Sequence, residues 1–418
     1  MLFTDANVIY EAMRKAIKSG DRDRYVTQLY QVNHLLYTAM LQKSLSEGTY
    51  KPELGHKFVL SERGKTRYVT NNTMADKVVN HMICDEILTP ALKRFLIHDN
   101  GASQKGKGVS FHRARFEKHL RDFFRQYDTN DGYILLGDFS GYYANIRHDK
   151  CGQVLAHFLK RSDFALEDLR LAWRILTEIF STFRVDVSRF SDNEIRAMYS
   201  GKVDAMINYK THPSLLTGAK YLCKGVDIGN QTSQNIGVVF PYRLDNYAKI
   251  VAGIHGYGRY TDDFYAIAPD TKTLKDLLAK LKAIAQEHGI IINERKTRIV
   301  KLSSFYRHLQ NGYSLTETGR IICKINPKSV TRERRKLKAY KRLLNTGRIT
   351  YDEIENIFRS WICGNWKRMS HRQIYNMYQL YIELFGRKLR WQKKNHYSRL
   401  RWLMEHSSPD WNSTGTTS

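Results

Sequence analysis

Gly258-Arg259-Tyr260-Thr261-Asp262-Asp263-Phe264-Tyr265-Ala266-Ile267-Ala268 sets two adjacent carboxylates between β-branched and aromatic residues. Those flanks predict two strands with Thr261-Asp262-Asp263 at the turn between them. A hairpin tip directs both side chains out of the sheet into one place. Two carboxylates that close repel each other unless a cation holds them, so a divalent metal is one reading of the pair. Ordinary turn chemistry, which favours Asp at such positions, is the other.

A second stretch bears on that choice. In Gly132-Tyr133-Ile134-Leu135-Leu136-Gly137-Asp138-Phe139-Ser140-Gly141-Tyr142-Tyr143, an apolar strand delivers Asp138 at its end. A strand ending in one Asp, beside a hairpin carrying two, brings three carboxylates around two metal ions. Nucleotidyl transfer needs that arrangement: one ion lowers the pKa of an attacking 3′-hydroxyl, the other steadies the triphosphate and the leaving group. Tyr143, five residues beyond Asp138, would then lie beneath the incoming sugar, where a flat ring excludes a 2′-hydroxyl and selects deoxynucleotides.

At these residues the chain resembles the reverse transcriptases. Tyr260-Thr261-Asp262-Asp263 matches their YxDD motif and Asp138 their first catalytic aspartate, and the resemblance covers roughly residues 5–390. It is nearest to bacterial enzymes of diversity-generating retroelements and related defence-associated reverse transcriptases. The pointer is Val226-Asp227-Ile228-Gly229-Asn230-Gln231-Thr232-Ser233-Gln234, an Ile/Val/Leu-Gly-x-x-x-Ser-Gln pattern. Retroviral and group II intron enzymes usually have Gln and Pro where Ile228 and Gln234 stand, which puts copying accuracy in question.

The resemblance implies an α+β right-hand polymerase fold and RNA-templated DNA synthesis. It implies fingers over residues 1–130, a palm over 131–303 with an inserted segment at about 150–224, a primer-grip hairpin and helical thumb over 304–400, and a tail over 401–418. It assigns two Mg2+ ions to Asp138, Asp262 and Asp263 and to the position of Phe139. The substrate set it implies is Lys65, Arg67, Phe139, Tyr143, Gly229, Gln231, Ser233, Gln234 and Tyr260. Lys296, in an Asn-x-x-Lys-Thr string, matches the position that protonates the leaving pyrophosphate; an ordinary surface lysine is the competing reading.

Composition agrees with a polyanion partner. Lys+Arg 68 against Asp+Glu 41 gives a net charge of +27, and phosphate neutralisation with counterion release suits such a surface. Charge alone does not separate DNA, RNA and an acidic membrane. Hydrophobic content of 42% predicts a folded chain. The five cysteines are scattered and never form a CxxC pair, which argues against structural zinc or a disulfide framework and fits a reducing cytosol. No signal-like start and no run of about 18 apolar residues is present, so the expectation is a cytoplasmic protein with no membrane partner.

Taken in order, residues 5–48 predict two helices, with Val8, Ala12 and Ala16 and then Tyr25, Leu29, Val32, Leu35 and Leu36 inward. Residues 58–69 predict a hairpin whose Arg63, Lys65 and Arg67 alternate along one strand; in the family it holds the triphosphate. Residues 76–97 predict an amphipathic helix. The glycine- and lysine-rich stretch 99–108 predicts a loop whose amides, with Lys105 and Lys107, cradle phosphate. Residues 181–220 carry no legible pattern. Gly229 predicts close backbone approach to a nucleotide, and Gly289 predicts the end of the helix over 274–288. Residues 305–325 predict a hairpin, and the cation-rich residues 329–342 begin a helical bundle in which Trp361 and Trp366 belong to the core. Lys388 to Arg401 form another cationic cluster, and residues 407–418 predict a loose tail.

A bare polymerase implies help from elsewhere: a dedicated structured non-coding RNA as template, dNTPs, a cDNA product and an accessory protein. Anti-phage defence is the favoured role, with mutagenic copying in a diversity-generating element as its rival. A non-catalytic, maturase-like RNA-binding protein is the reading from a different class.

Overall fold

The computed structural model describes residues 2–62, 64–201, 203, 207–208, 211–391 and 397–406. Two units are present, Met1–Tyr127 with Gly132–Lys301, and Asp128–Asp131 with Leu302–Ser418. In the first, β1 (His56–Glu62) and β2 (Lys65–Asn71) form a two-stranded antiparallel hairpin. Arg63 lies outside the described residues. Then come β3 (Tyr133–Asp138), a short pair β4 (Val185–Asp186) and β5 (Tyr221–Leu222), and β6 (Gly256–Tyr260), β7 (Asp263–Ala268) and β8 (Arg298–Lys301). Strands β6, β7, β3 and β8 make one antiparallel sheet in that order. The expected mixed helix-and-strand architecture is present.

The two central strands are buried along nearly their whole length, because helices Val109–Tyr127 and Thr271–His288 pack on this sheet. Glycines opposite aromatic residues make room for the rings. Gly137 pairs with Phe264 and Gly258 with Tyr265 across the ladder; a Cβ at either would stand 2.1 Å from Phe264 Cζ or 2.7 Å from Tyr265 Oη. The helix Thr271–His288 is bounded as its sequence predicts, by Asp270 accepting from Thr273 N and by Gly289 at φ +72°.

The N-terminal segment differs from expectation. Asn33 interrupts it into helices Tyr25–Val32 and His34–Ser46. Val32, Leu35 and Leu36 are 78%, 70% and 59% exposed, so this apolar stripe faces solvent while Thr38, Leu41 and Leu45 pack inward. Helical spacing identified a face but not the side of the molecule it is on. Residues 76–97 likewise form an α-helix, Met74–Met82, then a π-helical turn, Ile83–Leu88, then Thr89–Lys93. In the illegible stretch, β4, helix Asp192–Ser200 and β5 surround a small core of Val185, Val187, Val203 and Leu222. Buried Lys224 closes it, donating to the carbonyls of Met198, Tyr199 and Gly201 at 2.7, 3.0 and 2.5 Å.

The second unit begins with β9 (Tyr306–His308), β10 (Asn311–Leu315) and β11 (Ile321–Ile325), a three-stranded sheet where a two-stranded hairpin was expected. Asn130 Nδ2 donates to Leu315 O at 3.0 Å, which ties the short Asp128–Asp131 link into this unit. Helices Pro327–Asn345, Tyr351–Asn365, His371–Phe385 and Ser398–His406 enclose a core that includes Leu337, Phe358, Ile374, Tyr381 and Leu403. Trp361 and Trp366 pack against it. Only Glu333 and Leu337 of Pro327–Asn345 are buried, so its many cations are carried on an exposed helix. Residues 401–406, assigned from the sequence to the C-terminal tail, complete a packed helix, with Leu403 and Met404 buried. Within the cationic cluster 388–401, residues 392–396 lie outside the described residues, as do 407–418.

Candidate active site

The hairpin β6–β7 closes on Thr261 and Asp262, with Tyr260 paired to Asp263. Across the sheet Asp138 pairs with Asp263. Asp138, Asp262 and Asp263 therefore meet at one end of the sheet, as their spacing predicts. Thr261 has φ +57°, a conformation that a β-branched residue adopts only under constraint. Two bonds supply that constraint: Arg259 Nη1 donates to Thr261 O at 2.7 Å, and Phe139 N donates to Asp262 O at 3.1 Å.

Burial raises the pKa of Asp263, and the charges of Asp262 and Asp138 add to it, pushing the carboxyl up to about 7. Asp262 moves in the same direction, from burial first and then from Asp138. The charges of Lys296 and Lys65 oppose both shifts. Asp262 accepts only from its own backbone, and Asp263 from no group among the described residues. Asp138 is engaged: Lys296 Nζ lies 2.7 Å from its Oδ2.

An all-oxygen set of three carboxylates is the donor chemistry of a hard divalent ion, and two of the three are unpartnered among the described residues. Among the described residues no group of three or more His, Cys, Asp or Glu side chains stands in an arrangement that could hold a metal ion. The residue types fit Mg2+, and Asp138 is paired with the Lys296 ammonium.

The other expected residues fall into two groups. Lys65 and Arg67 are exposed on β2, and the Lys65 charge reaches Asp262 and Asp263. Tyr143 stands against helix Gln231–Val239, where a Cβ on Gly237 would come within 2.6 Å of its Oη. Its hydroxyl is pushed up to about 12, by burial and then by the charge of Asp262. Tyr260 rests edge-to-face on buried His112, centroids 5.5 Å apart. Of these, Lys65 and Tyr143 interact electrostatically with the carboxylates and Tyr260 is the strand partner of Asp263.

The remainder do something else. The Phe139 side chain is core, 2% exposed, packed 5.4 Å from the rings of both Tyr142 and Phe264; what it brings to the site is its backbone. Gly229, at φ +127°, approaches the backbone of the β1–β2 hairpin: a Cβ there would lie 2.3 Å from Thr70 O. Thr70 N donates to Ile228 O at 2.8 Å, and Thr70 Oγ1 to Asp227 Oδ2 at 2.8 Å. Gln231 Nε2 is bound to Asp85 Oδ1 at 2.9 Å, Ser233 is buried, and Gln234 is exposed. In the 99–108 loop Lys107 donates to His98 O and Asn100 O at 2.9 and 3.1 Å, which takes its ammonium away from phosphate.

Two supports had no sequence signal. Buried Asp99 collects Arg115 at 2.5 Å, Lys249 at 2.7 Å and His119 at 3.4 Å, and His119 Nδ1 lies 2.9 Å from Tyr265 Oη. Arg259, fully buried, pairs with Asp245 behind the Thr261–Asp262 turn. An Arg directly before a YxDD-like string, with Asp262 and Asp263 the acids nearest to it in sequence, gives no hint of a partner fourteen residues upstream.

No protein-family model matches the chain, and no curated protein does. Solved structures do resemble it. Telomerase from Candida albicans, in complex with a fragment of telomeric RNA, is 10% identical with a TM-score of 0.44 over 85% of this chain and 64% of that one. Apo telomerase from Candida tropicalis is 14% identical with a TM-score of 0.43 over 86% and 66%. Its form truncated from the C-terminal domain is 12% identical, with a TM-score of 0.41 over 66% and 58%. The chain thus spans 58–66% of the length of these structures. Among the described residues, no helix is long and apolar enough to cross a membrane.

Proposed function

We propose that the chain is an RNA-directed DNA polymerase. The observation that carries this reading is the register that pairs Asp138 with Asp263 and leaves Asp262 and Asp263 half-buried, mutually repelling and unpartnered among the described residues. Groups held at such an electrostatic disadvantage mark a site built for a cation.

Asp138, Asp262 and Asp263 would hold Mg2+, which when bound supplies Lewis acidity to the 3′-hydroxyl and to the triphosphate. The chain's own residues do the rest. Lys65 brings positive charge toward the carboxylates from the β1–β2 hairpin, and Arg67 extends that charge along β2. The Tyr143 ring, with Gly237 behind it, restricts the space open to a sugar. Lys296 carries a proton on Nζ within reach of Asp138, the position of a general acid for the leaving group. The net charge of +27 supports a nucleic-acid partner.

The template in this proposal is a dedicated structured non-coding RNA, copied in anti-phage defence; the separately cored module around Val185 and Leu222 supports a specialised RNA contact. The test is a polymerase assay on the purified protein with its co-purifying RNA, Mg2+ and labelled dNTPs, beside an Asp262→Ala/Asp263→Ala variant. DNA made by the wild type alone and abolished by RNase pretreatment supports the reading, and its sequence separates faithful from mutagenic copying. Bound RNA with no DNA under any primer condition overturns it in favour of an RNA-binding protein.

A further inference from the structure

Arg259 is among the largest side chains the chain buries completely. Its Nε lies 2.8 and 3.0 Å from the two carboxylate oxygens of Asp245, and Nη2 lies 2.7 Å from Oδ2. The same Nη2 donates to Val238 O at 2.7 Å, and Nη1 donates to Thr261 O at 2.7 Å. Tyr257 Oη steadies Asp245 from the side at 2.8 Å. One planar fork therefore serves a carboxylate, the end of helix Gln231–Val239 and the catalytic turn.

We propose that Arg259 is a positioning residue, which holds the Thr261 carbonyl so that Asp262 and Asp263 keep a fixed place relative to Tyr143. This rests on the polymerase reading. A buried Arg–Asp pair adds little net stability over apolar residues of the same volume, so stability does not account for a guanidinium shared three ways. The turn it reaches is the strained one, with Thr261 at φ +57°. Strained residues keep their conformation only where surrounding bonds over-determine it. Here Phe139 N fixes the Asp262 peptide and Arg259 fixes the Thr261 peptide. The third contact extends the tie, since Val238 follows Gly237, the residue behind the Tyr143 ring whose carbonyl also accepts from Tyr142 Oη at 2.8 Å. Carboxylates and sugar-facing ring are thereby referenced to one cation.

The test compares wild type, Arg259→Lys, Thr261→Gly and the double variant. Lysine keeps the charge beside Asp245 but lacks a fork for three separated acceptors. In single-turnover extension, kcat of Arg259→Lys is expected to fall about 100-fold with the dNTP KM nearly unchanged. Glycine takes a positive φ without strain, so Thr261→Gly in the Arg259→Lys background restores about tenfold of that loss. A folded Arg259→Lys with wild-type kcat overturns the proposal. So does a loss that Thr261→Gly leaves untouched, which would mark a purely structural role. If Arg259→Lys does not fold, Asp245→Asn, which loosens the anchor but keeps the guanidinium, must show the same glycine rescue. If the wild type makes no DNA, the polymerase reading fails separately, and Mn2+ titration followed by electron paramagnetic resonance decides. Arg259→Lys then weakens Mn2+ binding about fivefold, with recovery in the double variant; equal affinity in all four overturns the proposal.

Discussion

The Lys296 ammonium and the Asp138 carboxylate are 2.7 Å apart. A cation of the chain's own thus engages Asp138, and under the proposed function a metal ion would have to share or displace it. Lys296→Ala is therefore expected to act in opposite directions on two measurements. Mn2+ affinity, followed by electron paramagnetic resonance, rises about fivefold as the competing charge goes. The rate of nucleotide addition falls about 100-fold as the proton donor goes. A fall in both would place Lys296 outside the leaving-group role.

Asp263→Asn removes one of three crowded negative charges. Synthesis is expected to fall by at least about 100-fold, since several kcal/mol of metal-borne stabilisation goes with the ligand. The metal-free protein gains stability in the same substitution, about 1 kcal/mol, as a like-charge repulsion is relieved. Calorimetry without divalent ions checks this: Tm should rise by about 2–4 °C.

Gly237→Ala places a Cβ 2.6 Å from Tyr143 Oη. The ring must shift toward the space assigned to the sugar. The expected outcome is a raised dNTP KM, with Tm lowered by an amount matching about 1–3 kcal/mol of overpacking. Tyr143→Ala should instead narrow the preference for dNTP over rNTP, read as the ratio of the two kcat/KM values.

Gly229→Ala meets backbone on one side and an unfavourable φ on the other. Because Thr70 O cannot rotate away as a side chain would, a loss of roughly 1–3 kcal/mol or more is expected. Loss of protection at the Thr70 amide in hydrogen exchange would locate the damage at the root of the β1–β2 hairpin.

His288 gives a pH dependence remote from the carboxylates. Burial, and then the charge of Arg243, whose Nη1 lies 3.2 Å from its Nε2, push His288 down to about 4. Glu287 opposes the shift and Lys150 adds to it. The folded protein keeps this ring neutral between pH 6.5 and 4 while the unfolded chain takes up a proton. Stability present above pH 6.5 is therefore lost as pH falls toward 4, by roughly 3 kcal/mol from this group. His288→Gln should flatten that part of the curve in urea titrations at pH 7 and pH 4.5.

What could be read from the sequence was local. The strand endings at Asp138 and Asp262-Asp263 and the cap at Gly289 each depend on neighbours within a few positions, and each is where its pattern puts it. What escaped depends on distant partners. Val32, Leu35 and Leu36 repeat at helical spacing, yet periodicity is blind to which side of a helix the body of the molecule occupies. Gly229 meets Thr70, and Gln231 meets Asp85, across separations of about 150 residues that no motif encodes. Arg259 looked like one more cation in a basic chain until Asp245 and two carbonyls surrounded it.

The bond between Thr70 and Ile228 also has a mechanical meaning. Buried at its root and exposed at Lys65, Thr66 and Arg67, the β1–β2 ribbon is a cantilever clamped at Thr70. Bending at the root would break a backbone pair, so flexion is confined to the outer half of the ribbon. Any swing of that outer half would be carried by Lys65, the residue whose charge Asp262 and Asp263 feel.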